Sequence, residues 1–226
     1  DEQGVMLAFG ASGTVDNNIL PHGVNGIVLS YSNGSVISNN TLSNMDVHWG
    51  SSDGMSMGWA ITVDNTSSGN TITANTVTDS ELGIWVSNSS NNNTFTNNVI
   101  DNTKIAVQVD DYWGGSPPTG LHFNNNSFTD SSVKAFVNNT AVVTDASGNW
   151  WGSPTESVIT GQLVGPVDYT PWLNTGVEYD PLPADPGFQG DFSYLHVSAD
   201  SPQTGSTGRI QEAINLLADG ALAGGG

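Results

Sequence analysis

The hexapeptides Phe95-Thr96-Asn97-Asn98-Val99-Ile100 and Phe123-Asn124-Asn125-Asn126-Ser127-Phe128 carry one pattern. An asparagine has an apolar residue three positions before it and another two positions after it. The pattern recurs with its asparagine at positions 18, 40, 75, 98, 126 and 149, although the last copy is looser. Successive asparagines are 22, 35, 23, 28 and 23 residues apart. A short fixed period, with longer intervals that hold insertions, is typical of a solenoid.

Further columns in the same register predict the structure of each coil. Pairs of inward-facing apolar residues precede the asparagines: Ile27/Leu29, Ile61/Val63, Ile84/Val86, Val107/Val109 and Ala135/Val137. This alternation is that of short β-strands, because an amphipathic helix needs a period of about 3.6 residues. We expect parallel strands stacked coil on coil. The asparagines would lie at one corner and bind the backbone of the next coil.

These columns resemble those of right-handed parallel β-helix proteins, the pectate-lyase-like and NosD-type repeat families. The resemblance runs from Val5 to about Trp172 and implies an all-β, right-handed parallel β-helix of about six coils. The aromatic turn Gly148–Pro154 and the segment Gly165–Leu173 resemble the end of β-helix domains in secreted bacterial and archaeal surface proteins. We expect their large aromatic side chains to close the core.

The sequence divides into a solenoid at 1–173, a linker rich in Pro, Gly and Asp at 174–190, and a final segment at 191–226. The final segment contains a strand and then an amphipathic helix, because apolar residues recur at helical spacing from Ile210 to Leu217. In pectate-lyase-like proteins a helix with this Ile-Gln-x-Ala-Ile pattern caps the first coil. The resemblance therefore implies a segment that caps a following or neighbouring β-helix.

This position of the cap-like segment predicts head-to-tail assembly of the chain. The stretch Val5–Phe9 is already strand-like, and no capping element precedes it in the sequence. The final segment contacts the first coil of a neighbouring copy or starts the next solenoid of a longer chain. A less simple alternative is that it folds back along its own solenoid and caps its own first coil. The predicted contact residues are Val5, Leu7, Phe9, Leu195, Val197, Ile210, Ile214 and Leu217.

The composition excludes several classes of partner. The chain has 3 Lys and Arg against 22 Asp and Glu, a net charge of −19, and no cysteine. Nucleic acid and anionic membrane surfaces are poor partners, because binding phosphate needs clustered cations. No apolar run is long enough to span a membrane. Asp64, Asp110 and Asp111 follow equivalent strands and are candidate calcium ligands. The alternative for these carboxylates is a set of solvated turns.

Seven Asn-X-Ser/Thr sequons indicate an exported glycoprotein, located outside the cell or on its surface. Several sequons could also arise from the Asn-rich repeat alone. The candidate asparagines are Asn33, Asn39, Asn65, Asn88, Asn92, Asn125 and Asn138.

Aromatic residues on one sheet face and its flanking loops predict a trough for polysaccharide. They are Trp49, Trp85, Tyr112 and Trp113. Exposed aromatic residues on a solenoid are as often a contact with another protein, and some tryptophans of loops simply pack down on the coils.

Catalysis at this face is poorly supported by the sequence. Polyuronate lyases need a base and cations around the substrate, and hydrolases need two or three facing carboxylates. Asp110-Asp111 is the candidate pair, without the motifs that accompany such a pair in polygalacturonases. We predict a non-enzymatic structural protein, a subunit or repeat of a cell-surface filament, sheath or layer. The alternative is a β-helix protein that binds or degrades carbohydrate.

Overall fold

A computed structural model describes residues 3–46, 58–112, 114–177 and 185–223 of the chain. Within these residues the chain forms a parallel β-helix whose coils run through three sheets. Neighbouring strands of each sheet come from successive coils and pair in parallel register. The predicted all-β solenoid is confirmed.

The strands are numbered in chain order, and their counts apply to the described residues. The first sheet has seven strands: β1 (Gln3–Ala8), β4 (Asn25–Ser30), β7 (Trp59–Asp64), β10 (Leu82–Ser87), β13 (Ile105–Asp110), β16 (Lys134–Asn138) and β18 (Leu163–Val164). The second has seven: β2 (Thr14–Asp16), β5 (Val36–Ser38), β8 (Thr71–Thr73), β11 (Thr94–Thr96), β14 (His122–Asn124), β17 (Thr144–Asp145) and β19 (Val167–Asp168). The third has five: β3 (Ile19–Leu20), β6 (Thr41–Ser43), β9 (Thr76–Thr78), β12 (Val99–Asp101) and β15 (Ser127–Thr129). Outside them lie β20 (Trp172–Leu173), β21 (Leu195–His196), α1 (Glu156–Gly161) and α2 (Arg209–Ala223).

The core is a set of apolar columns that run through the stack. Ile27, Ile61, Ile84 and Val107 pair in successive strands of the first sheet and are almost fully buried. The predicted pair Ala135/Val137 is wrong by one residue. Phe136, not its neighbours, pairs with Val107 and lies fully buried. Its ring packs edge-on against that of Phe123, so the larger side chain fills the core at this coil.

The predicted asparagine ladder is confirmed. From Asn40 onward, the side-chain oxygen of each repeat asparagine accepts hydrogen bonds from the backbone N–H and the side-chain amide of its counterpart in the preceding coil. These contacts are 2.8–3.1 Å long, and they join Asn18, Asn40, Asn75, Asn98, Asn126 and Asn149 without a break. Its amide also donates to a backbone carbonyl of the preceding coil, as from Asn98 to the Ile72 carbonyl at 3.0 Å. The ladder therefore satisfies buried backbone groups at a corner that has no regular strand pairing.

The final coil is closed by aromatic side chains, as the sequence predicted. Trp151, Tyr169 and Trp172 are each 3% exposed, and the Tyr169 and Trp172 rings pack with centroids 5.8 Å apart. Helix α1 adds Ile159 to the same cluster. The stack of coils therefore ends in a packed aromatic layer, against which later residues can dock.

Candidate functional site

The predicted aromatic trough on the first sheet is wrong at Trp85. This side chain does point outward, but it is 3% exposed, and its ring packs 4.2 Å from that of Trp59. Its indole N–H donates to Asp110 at 2.9 Å. Tyr112 is exposed, and Trp49 and Trp113 lie outside the described residues. Trp85 therefore packs within the fold and offers no open ring for a sugar to stack on.

Asp110, one of the two candidate catalytic carboxylates, is held by hydrogen bonds within the fold. It is 4% exposed and accepts hydrogen bonds from the Trp85 indole, the Ser87 hydroxyl at 2.6 Å and the Gln108 amide at 2.7 Å. A carboxylate held by several donors from its own and the adjacent strand is not free to reach a substrate. These hydrogen bonds join β10 and β13 on the outer face of the sheet.

Asp64, a candidate calcium ligand, has a similar setting. It is buried and accepts hydrogen bonds from the Asn65 N–H and, at 2.8 Å, from the Asn88 amide. Burial raises the pKa of its carboxyl. In the described part of the chain, no three acidic or histidine side chains lie close enough together to hold a metal ion. The calcium prediction at Asp64, Asp110 and Asp111 thus gains no ligand cluster from the described residues and stays a prediction.

The seven sequon asparagines differ in accessibility. Asn33 and Asn92 are exposed, and Asn39, Asn65 and Asn125 are half-buried. Asn88 and Asn138 are 6% and 2% exposed. Their amide nitrogens already donate hydrogen bonds, to Asp64 and to the Val142 and Pro166 carbonyls respectively. A glycan on either nitrogen would displace these bonds, so the predicted sites at Asn88 and Asn138 are wrong for the folded chain.

The chain after the last coil returns along the solenoid. The Phe188 N–H donates to the Asn97 carbonyl at 2.8 Å, and the Asn97 side-chain amide donates to the Phe188 carbonyl at 2.9 Å. The Phe188 side chain is buried. The Gly190 N–H donates to the Asn125 side chain at 2.9 Å. Residues 185–190, which the sequence assigned to the linker, therefore form a strap along one corner of the stack.

The strand and helix of the final segment dock on the last coil of their own solenoid. Strand β21 pairs antiparallel with β20, and the His196 ring stacks on Trp172. The sequence predicted a cap for a following or neighbouring β-helix. Here the aromatic end layer and the free edge of β20 provide a docking surface within the same chain, so the segment binds there.

Asp168 is the centre of this docking contact, and sequence analysis did not identify it. Its carboxylate is fully buried and accepts hydrogen bonds from the Thr204 N–H and hydroxyl, at 2.6 and 2.9 Å, and from the Ser201 hydroxyl at 3.2 Å. The Tyr169 N–H donates back to Ser201. No local pattern marks Asp168, because its partners lie more than thirty residues away.

Two carboxyl groups at this contact have perturbed pKa values. Burial raises the pKa of Asp168, even though the bonds from Thr204 and Ser201 lower it. Burial also raises the pKa of Glu212 on α2, and the negative charges of Asp168 and Asp145 add to this effect. Asp145 contacts the imidazole of His122 at 2.9 Å. The helix therefore docks where several acidic side chains, Asp168, Asp145 and Glu212, lie near one another.

We expect docking of the final segment to weaken as pH rises above about 4, the ordinary pKa of a carboxyl group, because folding raises the pKa of Asp168 and Glu212. A carboxyl whose pKa is raised by folding contributes stability that is fully present below its unfolded pKa. That stability is lost as pH rises through the folded value. Hydrogen exchange of the Tyr169 and Ser198 amides, corrected for intrinsic rates, measures docking because both bonds cross the contact. Asp168→Asn should reduce the pH dependence, whereas Asp200→Asn at an exposed position should not. Equal slopes in both variants would contradict this account.

The docked segment leaves an apolar surface open. Helix α2 turns Ala213 inward, but Ile210 and Ile214 are 71% and 50% exposed. Val197 is 40% exposed, and a groove of about 500 Å³ lies between Val197–Ala199 and Gly208–Gln211. Leu195 and Leu217 are half-buried. Of the predicted contact residues in this segment, Val197, Ile210 and Ile214 thus form an exposed cluster, which we call the tail surface.

A second apolar surface lies at the first coil. The Phe9 ring is 88% exposed and stacks on Tyr31, whose exposure is 48%. Val5 and Leu7 are half-buried, whereas the residues paired with them in the next coil, Ile27 and Leu29, are fully buried. Strand β1 is the outermost described strand of the first sheet at this end. We call Val5, Leu7, Phe9 and Tyr31 the head surface.

Comparison with known protein families identifies the family of this chain. A family model described as "Right handed beta helix region" matches residues 1–150, and the chain belongs to that family. The predicted right-handed parallel β-helix is thereby confirmed. No curated protein and no solved structure matches the chain significantly. None of the helices in the described part is long and apolar enough to cross a membrane.

Proposed function

We propose that this β-helix is a non-enzymatic structural protein of the cell surface, which assembles head to tail into a filament, sheath or layer. The observation that carries the proposal is the tail surface. Val197 and Ile210 border an apolar groove, and Ile214 is exposed one helical turn beyond Ile210. The last coil of the chain already holds this segment in place. Exposed apolar clusters of this kind are typical of sites of protein contact.

The partner proposed for the tail surface is the head surface of a second copy. Half-buried Val5 and Leu7 would lose their remaining exposure under another layer of apolar side chains, as Ile27 and Leu29 do inside the stack. A contact between two different surfaces of one chain propagates into an open polymer unless rotation closes it. The docked segment presents the tail surface to the neighbour without exchanging strands or helices between copies.

The other parts of the proposal have separate support. Asp110 is engaged by three side-chain donors from its own and the adjacent strand, which favours a structural role over catalysis. The exposed sequons at Asn33 and Asn92 favour an exported, glycosylated chain. A polysaccharide-degrading enzyme is the alternative, and it would need a site other than the trough around Trp85.

The test uses one variant defective at each surface. Ile210→Asp places a charge on the tail surface, and Phe9→Ser removes the exposed ring from the head surface. Both side chains are largely exposed, so the fold should persist. We expect each variant to be monomeric in analytical ultracentrifugation, at concentrations where the wild type forms polymers. Mixed together, they should form dimers that cannot extend, because one intact head meets one intact tail.

Asn215→Asp is the matched control, because it adds the same charge at an exposed position of α2. It should leave polymers intact in sedimentation and in electron micrographs. A wild-type chain that stays monomeric at all concentrations would overturn the proposal. Polymers that persist in both Ile210→Asp and Phe9→Ser would also overturn it.

A further inference from the structure

The first sheet has an open strand edge at each end of the stack. Its strand order is β1-β4-β7-β10-β13-β16-β18, and in the part of the chain that the structure describes no strand pairs with the outer edge of β1 or of β18. Every pairing in this sheet is parallel, so β1 and β18 run in the same direction. The second sheet differs, because its last strand β19 contains Asp168, which accepts hydrogen bonds from the docked final segment. The final segment therefore covers the end of the second sheet and leaves β18 open.

Neither outer strand has the residues that usually protect a strand edge. Strand β1 reads Gln-Gly-Val-Met-Leu-Ala and β18 reads Leu-Val, so neither contains a charged residue or a proline. Natural proteins place such residues on exposed edges because an open edge pairs readily with another chain. The chain has 22 acidic residues in all, and their absence from both outer strands favours edges that are used for pairing.

One column of core side chains runs through this sheet and is incomplete at both ends. Direct strand register joins Val5, Ile27, Ile61, Ile84, Val107, Phe136 and Leu163. The five interior members are at most 1% exposed. The two terminal members, Val5 and Leu163, are only half-buried, although both pack against the core. Each terminal side chain lacks an apolar neighbour on one side, so covering it with another apolar residue is favourable.

Exposed apolar side chains are concentrated at the same two ends. Apart from Tyr112, each large apolar side chain that is exposed in the described residues lies before Ile37 or from Val133 onward. Met6 on β1 is 44% exposed and Val164 on β18 is 39% exposed. Met6 and Val164 are the two ends of a second column, which runs along the outer face of the sheet. The two open edges thus carry matching inner and outer columns.

We propose that β18 of one copy pairs in parallel with β1 of the next copy, so that the first sheet continues through the joint between them. The register that extends both columns places Leu163 beside Val5 and Val164 beside Met6. Pairing between two different edges leaves one edge of each kind free at the ends of the assembly, so it propagates. This inference rests on the proposed head-to-tail assembly and adds backbone hydrogen bonds to the apolar contact between the tail surface and the head surface.

Engineered cysteines test this register, because the chain has no cysteine of its own. One variant carries both Met6→Cys and Val164→Cys, at exposed positions where the fold should persist. Paired strands lie about 4.8 Å apart, within the distance of about 4.4–6.8 Å between Cα atoms that a disulfide spans. Within one copy β1 and β18 are separated by six strand spacings, about 29 Å, so a bond between the two cysteines joins different copies. Oxidation of the assembled variant with oxidised glutathione should yield a ladder of covalent oligomers on a non-reducing gel.

The matched control carries Met6→Cys with Val158→Cys, because Val158 is exposed at the same end of the stack but lies on α1. We expect the pair with Val164→Cys to cross-link at least about tenfold faster than this control, since strand pairing holds its two sulfur atoms together. Sedimentation under reducing conditions measures assembly separately.

The outcomes separate this inference from the proposed function. Polymers in which both cysteine pairs cross-link equally slowly would overturn strand pairing but leave head-to-tail assembly intact. Rapid disulfide dimers of a variant with Met6→Cys alone would show that β1 pairs with β1, which also contradicts the inference. A wild-type chain that sediments only as a monomer would overturn both proposals.

Discussion

Replacing Asn98 by alanine is expected to lower the free energy of unfolding by about 2–6 kcal/mol, at about 1–3 kcal/mol for each of two buried groups left unpaired. The Asn98 oxygen accepts from the Asn75 N–H at 3.0 Å, and its amide donates to the Ile72 carbonyl at 3.0 Å. Alanine removes both partners in the middle of the ladder. Water cannot replace them, because Asn98 and Asn75 are fully buried.

Urea unfolding of Asn33→Ala provides the control for this ladder variant. The Asn33 oxygen also accepts a backbone hydrogen bond, from Ser68 at 2.7 Å, but at an exposed position where water can take its place. We expect a loss below about 1 kcal/mol there. Similar losses for Asn98→Ala and Asn33→Ala would mean that the ladder does not stabilise the stack through its buried bonds.

Phe95→Ala should destabilise the protein by about 3–5 kcal/mol, the range for removing a buried aromatic side chain from a core. The Phe95 ring is fully buried and stacks on Phe123 with centroids 4.1 Å apart and planes 3° apart. Its loss leaves a cavity between two coils that regular strand pairing on both sides keeps from closing. Thermal or urea unfolding measures the change.

Thr96→Ala tests the register of the same strand. Thr96 is the next residue, faces outward and is half-buried, with its hydroxyl bonded to Thr73. We expect a loss below about 1 kcal/mol, as for most surface substitutions. A loss as large as that of Phe95→Ala would place Thr96 in the core and contradict the register. Thr62 is an unsuitable control, because it faces outward but is only 2% exposed.

The interior of the stack could be predicted from the sequence because each coil needs the same residue types at the same positions. Ile72, Phe95 and Phe123 occupy one column, and parallel strands pair them directly. A buried corner needs a side chain that both accepts and donates, so asparagine recurs there as Asn75 and Asn98. Both signals are periodic, and a period is visible without coordinates. The aromatic closure followed because Trp151 and Trp172 end the pattern.

The outer face of the first sheet could not be predicted in this way. The alternation of inward and outward residues along the strand predicts that Trp85 points away from the core. It does not predict which side chains pack against Trp85 on the outer face. The ring is buried because Trp59 lies beside it and Asp110 accepts its N–H. The inward position of Phe136, one residue away from the predicted pair Ala135/Val137, also depends on tertiary packing. Its ring packs against Phe123 in the core, and the repeat pattern does not reveal this contact.

The amino-acid sequence by itself determined a right-handed parallel β-helix, its asparagine ladder and an amphipathic helix after the last coil. Only the tertiary structure decided where that helix docks. The spacing of Ile210, Ala213 and Ile214 suits an apolar contact in its own chain or in another. The choice depends on the pairing of β20 with β21 and on the bonds from Thr204 and Ser201 to Asp168. These partners meet only after the chain has turned back, so their contact has no local signal and depends on the folded end of the solenoid.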